Sequence, residues 1–167
     1  MDTCFNFSLK PESSMLVCGP TMSGKSTFVH NLLKDRMMIF ATPPREIYWY
    51  YDGESTHGLE GRGYILRKGL PENFLDVPPK SLIVLDDLMN EAKNHKGVTN
   101  LFTKLVHHNS LFVINITQNF FMKTNETRTR RLNTQYVIMF KNPSDVTQIH
   151  TIGNQMYPGT NFLNYVN

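Results

Sequence analysis

The chain has 167 residues, which suits one domain with a buried core and is too short for two. Forty per cent hydrophobic and 19% charged residues describe an ordinary soluble globule. The net charge of +3 (pI near 8.9) leans basic, and a lean of that size is no proof of a nucleic-acid partner.

Cys4 and Cys18 are the only cysteines, with no CxxC or histidine spacing around them. That excludes a structural zinc site and a disulfide scaffold and suits a reducing, intracellular compartment. Residues 1–14 lack the basic start and apolar stretch of a secretory signal. No run approaches the ~18 apolar residues of a membrane span, so any bilayer role belongs to a partner.

In chain order, Cys4-Phe5-Asn6-Phe7 alternates as a first strand, and Lys10-Pro11-Glu12-Ser13 turns into a core strand at 14–18. Gly19-Pro20-Thr21-Met22-Ser23-Gly24-Lys25-Ser26-Thr27 follows, with the spacing G-x-x-x-x-G-K-[ST] between an apolar strand and an amphipathic helix. Such a loop turns its backbone N–H groups, with a helix start behind them, onto polyphosphate oxygens. Lys25 is expected to reach the β- and γ-phosphates of ATP, and Ser26 to take one Mg²⁺ position. The helix is expected over 24–36, with Phe28, Leu32 and Leu33 facing the sheet. Cys18, in the strand before the loop, reads as a small core hydrophobe.

Residues 46–51 read as an aromatic strand. Its side chains either pack a sheet or stack on a base. Residues 53–80 carry five glycines and three prolines. A weak strand is expected at 64–67, a short helix at 72–75, and otherwise an irregular, exposed insertion. Leu82-Ile83-Val84-Leu85-Asp86-Asp87 then presents two acids at the C-terminal end of a buried parallel strand, the edge where open α/β sheets hold ligands. Asp86 is the expected Mg²⁺ ligand and Asp87 the group that polarises the attacking water.

Asn90–Gly97 is a polar connection, open to solvent or to a polymer. Val98, Leu101, Phe102, Leu105 and Val106 mark an amphipathic helix. His107 and His108 suit its negative C-terminal end, not a metal. A third buried strand (111–118) ends in Thr117-Gln118. There Gln118 either caps the strand or bonds the attacking water or the γ-phosphate. The polar, basic run 123–131 precedes a strand at 135–140. Asn142-Pro143-Ser144-Asp145 opens a helix through about 155, with Val146, Ile149 and Ile152 on its buried face.

Strands alternating with helices imply an α/β fold with a mostly parallel central sheet, and with the loop at 19–27 it resembles a three-layer P-loop NTPase sandwich of the RecA/ASCE kind. An acidic strand end followed by a separate polar strand end is the pattern of ring-forming and motor NTPases. The chain resembles the FtsK–HerA superfamily, and within it the poxvirus-type genome-packaging ATPases of Polinton elements, adintoviruses and similar DNA viruses. The resemblance lies in Gly19–Thr27, Gly69-Leu70-Pro71, Leu82–Asp87 and His108–Phe121. It continues in Arg128-Thr129, Leu132-Asn133, Phe140-Lys141-Asn142-Pro143, Gln148-Ile149 and Gln155-Met156-Tyr157-Pro158. These blocks span most of residues 14–158.

The resemblance implies a Mg²⁺-dependent ATPase that forms a homo-oligomeric ring, a pentamer or hexamer, on double-stranded DNA. Viral capsid proteins are the implied partners, and the host nucleus, a viral assembly site or the virion the implied location. It also implies an arginine acting across the subunit interface, Arg128 at the family's Arg-Thr position and Arg131 second, although the same run equally suits an exposed loop. Lys123, Arg130, Arg131 and Lys141 are candidate phosphate grips. The family commonly has Asp-Glu where Asp86-Asp87 stands, and it continues past the Tyr-Pro block. Residues 1–167 are therefore expected to be a single domain, truncated or short at its C-terminus. Two other readings stand beside the motor: a nucleoside or nucleotide kinase whose arginine-rich lid is 123–131, and a non-hydrolysing, nucleotide-gated assembly protein.

Overall fold

The computed structural model describes residues 8–53, 58–92, 94–120, 125–142, 147–156 and 158. The expected strand at 4–7, Lys123, Val146 and the proline-led helix start at 143–145 lie outside the described residues. Six strands are present: β1 (Ser14–Cys18), β2 (Ile47–Tyr51), β3 (Ile65–Lys68), β4 (Leu82–Asp86), β5 (Phe112–Thr117) and β6 (Tyr136–Met139). They form one sheet in the order β3-β2-β4-β5-β1-β6, and every pairing is parallel. This is the α/β sandwich of a P-loop NTPase. Its decisive feature is that β5 lies between β1 and β4, so the phosphate-loop strand and the acidic strand are not neighbours.

Strands apolar at every position must be covered on both faces. On one face Met15, Val17, Val84, Ile114 and Ile116 pack with Trp49 and with Val29 and Leu33 of helix α1 (Lys25–Lys34). On the other, Ile83, Leu85 and Val113 meet Val98, Leu101, Phe102, Leu105 and Val106. Beyond the short helix α3 (Met89–Ala92), those five residues lie on α4 (Lys96–Asn100), a π-helical turn (Leu101–Leu105) and α5 (Val106–His108), which run on without a break. The widened turn lies where the Thr103 hydroxyl bonds the Thr99 carbonyl at 3.0 Å, a contact that competes with the regular ladder. Leu16 and Cys18 pack with Phe120 and with Ile152 of α7 (Thr147–Met156).

Three expectations are corrected. In α1 Leu33 is buried and Phe28 and Leu32 pack half-buried against the core as expected, but Lys25 and Val29 share the innermost face; the chain then breaks at Asp35 before a separate turn, α2 (Arg36–Ile39). No helix forms at 72–75, because the Asn73 carboxamide oxygen accepts the Leu75 N–H at 3.1 Å and closes a local turn instead. Nor is the insertion simply exposed: Leu59, Phe74 and Val77 are core residues, and Phe74 meets Tyr50 edge-to-face at 5.4 Å.

Gly97, at the start of α4, lies against the backbone of Glu72, and a Cβ there would run into the Glu72 carbonyl oxygen. Alanine gains about 1 kcal/mol over glycine inside a helix, whereas overpacking against rigid backbone costs about 1–3 kcal/mol. Gly97→Ala should therefore lower stability by about 1 kcal/mol in urea denaturation; a stabilised variant would show that the two segments separate freely.

Candidate active site

After β1 the chain must turn back sharply over the sheet edge. Gly24 does this at φ +90°, a conformation that disfavours a side chain. A Cβ on Gly19 would lie 2.5 Å from the Phe140 Cβ, so this end of the loop can lie against β6 only as glycine. The Gly19 N–H is tied to the Thr117 carbonyl at 3.2 Å. Lys25 folds back under the loop and donates to the carbonyls of Gly19 (2.9 Å) and Pro20 (2.7 Å). It is 8% exposed and has no carboxylate partner among the described residues. The Ser23 hydroxyl is buried beside it without a hydrogen bond. A buried cation and an orphaned hydroxyl, both without a counter-group, are what an anion-binding cradle needs.

Asp86 ends β4 and accepts from the Ser26 hydroxyl at 3.0 Å and from the Trp49 indole N–H at 3.2 Å. Adjacent oxygens in an octahedral Mg²⁺ shell lie about 2.9 Å apart, so the Ser26–Asp86 pair fits that ion as two of its ligands. Among the described residues no group of three or more His, Cys, Asp or Glu could hold a metal, so phosphate and water would supply the remaining ligands. Asp87 follows at φ +53°, its N–H on the Ile116 carbonyl. Gln118 donates its side-chain N–H to both Asp87 oxygens, at 3.1 and 2.9 Å. The parallel register that sets Asp86 opposite Ile116 brings this pair level. Lys25, Ser26, Asp86, Asp87 and Gln118 therefore meet at one sheet edge.

Lys25, Ser26, Asp86 and Asp87 line a cleft of about 460 Å³ whose far wall includes Asp52 and Arg62. Behind that wall lies a connected set of side chains. Trp49 stacks on Tyr64 at 5.4 Å, and the Tyr64 hydroxyl bonds His30 Nδ1 at 2.7 Å. Arg62 donates to His30 Nε2. Arginine can only donate, so Nε2 must be the accepting nitrogen and the ring neutral, with its proton on Nδ1 toward Tyr64. Burial, then the Arg62 and Lys34 charges, lower the His30 pKa from its ordinary 6.5. Trp49, His30, Tyr64 and Arg62 are parts of the site that sequence reading missed. The one signal in the chain was the aromatic density of 46–51, and it pointed equally to plain packing. Burial, partly offset by Lys25, pushes the Cys18 thiol up to about 11, an inert core thiol as expected.

The basic run behaves differently from expectation. Residues 125–132 form helix α6 (Asn125–Leu132), packed on α4 and the π-helical turn. Arg130 is 6% exposed and turned inward, which removes it as a phosphate grip. Arg131 lies over the Phe120 ring at 5.3 Å. Burial is the larger cause, and Arg128 the smaller, of a lowered Arg131 pKa. A helix seated by a buried arginine and a ring contact is not a free lid. Arg128 and Lys141 are exposed, and Arg128 does not line the cleft around Lys25 and Asp86 in its own chain.

No family model matches the chain, and no curated protein matches it. Among solved structures it is similar to the DNA-packaging ATPase of Sulfolobus Turreted Icosahedral Virus, with a TM-score of 0.56 and 14% identity over 86% of this chain and 83% of that one. At that identity the likeness is one of fold.

Neutral His30 contributes stability that is present above the unfolded pKa of 6.5 and lost as the pH falls through the lower folded value. The melting temperature of the wild type should therefore fall between pH 7.5 and 5 more than that of His30→Gln. Parallel curves in differential scanning fluorimetry would contradict the neutral Arg62–His30–Tyr64 arrangement.

Proposed function

We propose that the chain is an ATP-hydrolysing DNA translocase that packages viral, or virus-like transposon, double-stranded DNA into capsids. The observation that carries the hydrolase part is the buried, uncompensated Lys25 ammonium facing the same cleft as the Ser26–Asp86 pair. The γ- and β-phosphates supply the anion that Lys25 lacks. Ser26 and Asp86 would hold Mg²⁺, which would supply neutralisation of phosphate charge. Asp87 polarises the attacking water, and Gln118, bonded to both Asp87 oxygens, fixes the carboxylate and offers its amide to the same water. Lys25, Asp87, Gln118 and Arg128 are the proposed catalytic set, with Gly19–Thr27 as the nucleotide cradle.

The packaging part rests on the fold likeness and the sequence blocks around Phe140–Pro143 and Gln155–Pro158, and is an argument by analogy. Under it the protein works as a ring on duplex DNA beside capsid proteins, and an exposed Arg128 acts on the neighbouring subunit's nucleotide. The poxvirus-type and Polinton affinity belongs to the same proposal. Among the described residues no helix is long and apolar enough to cross a membrane.

ATP turnover measured with and without linear duplex DNA separates the readings. The motor predicts stimulation that fades with salt; phosphate transfer to a nucleoside acceptor with no DNA effect means a kinase, and nucleotide-dependent oligomers without turnover mean an assembly switch. Lys25→Ala should lose hydrolysis, and wild-type turnover would remove the loop assignment. Asp87→Asn should bind nucleotide normally while turnover falls about 10²-fold or more; equal loss of binding would make Asp87 structural.

A further inference from the structure

We propose that Arg62 supplies, from within the same subunit, a positive charge to the terminal phosphate during its transfer to water. The inference deepens the hydrolase reading above and rests on it. Its starting point is the charge of the cleft. Among the described residues three carboxylates, Asp52, Asp86 and Asp87, line it against two cations, Lys25 and Arg62, with His30 neutral. A nucleoside triphosphate adds about four negative charges, and a divalent ion offsets only two of them. Lys25 already belongs to the loop. Of the described arginines, Arg62 is the one that lines this cleft.

The residue is also held for the task. Leu59 anchors its loop in the core, and the Arg62 Nε–H donates to the Gly58 carbonyl at 2.6 Å. A second guanidinium N–H bonds His30, which lies one helical turn beyond Ser26 on α1, a separation of about 5–6 Å along the helix. Arginine has five N–H donors, and two of them meet partners among the described residues. The His30 and Gly58 contacts reduce the rotamer freedom that a long side chain would otherwise lose on meeting its ligand. The forked donor set matches phosphate oxygens.

In the step itself, a lone pair of the water oxygen forms the new bond to the γ-phosphorus. The bond from that phosphorus to the β–γ bridging oxygen breaks, and its electron pair leaves with the nucleoside diphosphate. The water proton passes to Asp87. Negative charge spreads over the three equatorial oxygens of the transferring group, where preorganised donors in a closed cleft act most strongly. Arg62 donates there, one per subunit, independently of any arginine reaching across an interface.

The test compares wild type, Arg62→Ala and Arg62→Gln, the glutamine keeping a polar stem should alanine fail to fold. Binding of Mg·ADP, and of Mg·ADP with aluminium fluoride as a mimic of the transferring phosphate, is measured by calorimetry beside ATP turnover. Mg·ADP affinity should stay within about 3-fold, while affinity for the fluoride complex and turnover both fall about 10²–10³-fold. Adding Lys25→Ala subunits, whose Arg62 is intact, should restore nothing. Restoration would mean that Arg62 acts in trans, and fluoride-complex binding unchanged in the Arg62 variants, beside a wild type that hydrolyses ATP, would remove Arg62 from the reaction; either overturns the inference alone. A wild type that binds no Mg·ADP and hydrolyses nothing overturns the hydrolase reading and this inference with it.

Discussion

Lys25 is a cation in a place where a cation is costly, beneath a loop whose carbonyls are its hydrogen-bond partners among the described residues. A carboxylate stands in the same cleft, yet Asp86 is engaged by Ser26 and by the Trp49 indole, and the two charges do not pair. That separation is the constraint on which the rest depends. A direct Lys25–Asp86 ion pair would satisfy both groups and leave nothing for a ligand. Held apart, they form a positive cradle and an oxygen-rich edge with room for polyphosphate and a small cation between them. A hydrogen bond to a charged group contributes about 1.5–3 kcal/mol net, enough to hold Asp86 in place and little enough for a divalent ion to displace.

The sheet topology produces the separation. Were β1 and β4 adjacent, the strand ends that carry the loop and the acid would stand about 4.8 Å apart along the sheet. With β5 between them the gap widens by one strand, and the end of that strand brings Gln118 into it. The continuous apolar runs of β1, β4 and β5 are what permit this, since only strands covered on both faces can occupy the middle of a parallel sheet. Trp49, on β2, then serves the core with its ring and the site with its N–H.

What was legible in the chain was whatever chemistry is written in neighbouring residues. The loop at 19–27, the acids at 86 and 87, the strand carrying Gln118 and the helical stripe from Val98 to Val106 all stand where local spacing puts them. The failures share one cause, competition from contacts distant in sequence or from a side chain acting on its own backbone. Helix propensity at 72–75 lost to the Asn73 turn, and the register of α1 settled on Val29 because Lys25 had to face inward. The far wall was invisible because its bonds join residues 32 to 37 positions apart: Arg62 to His30, Tyr64 to His30, and Trp49 to Asp86. The basic run read as one surface, yet helical geometry sent Arg130 inward and left Arg128 outside.

A crystal structure with Mg²⁺ and a non-hydrolysable ATP analogue examines the central claim most directly. The account requires the Lys25 ammonium to leave the Gly19 and Pro20 carbonyls for the β- and γ-phosphates, with the ion between Ser26 and Asp86. Nucleotide bound elsewhere, or a Lys25 still seated on the loop carbonyls with triphosphate in the cleft, would contradict it.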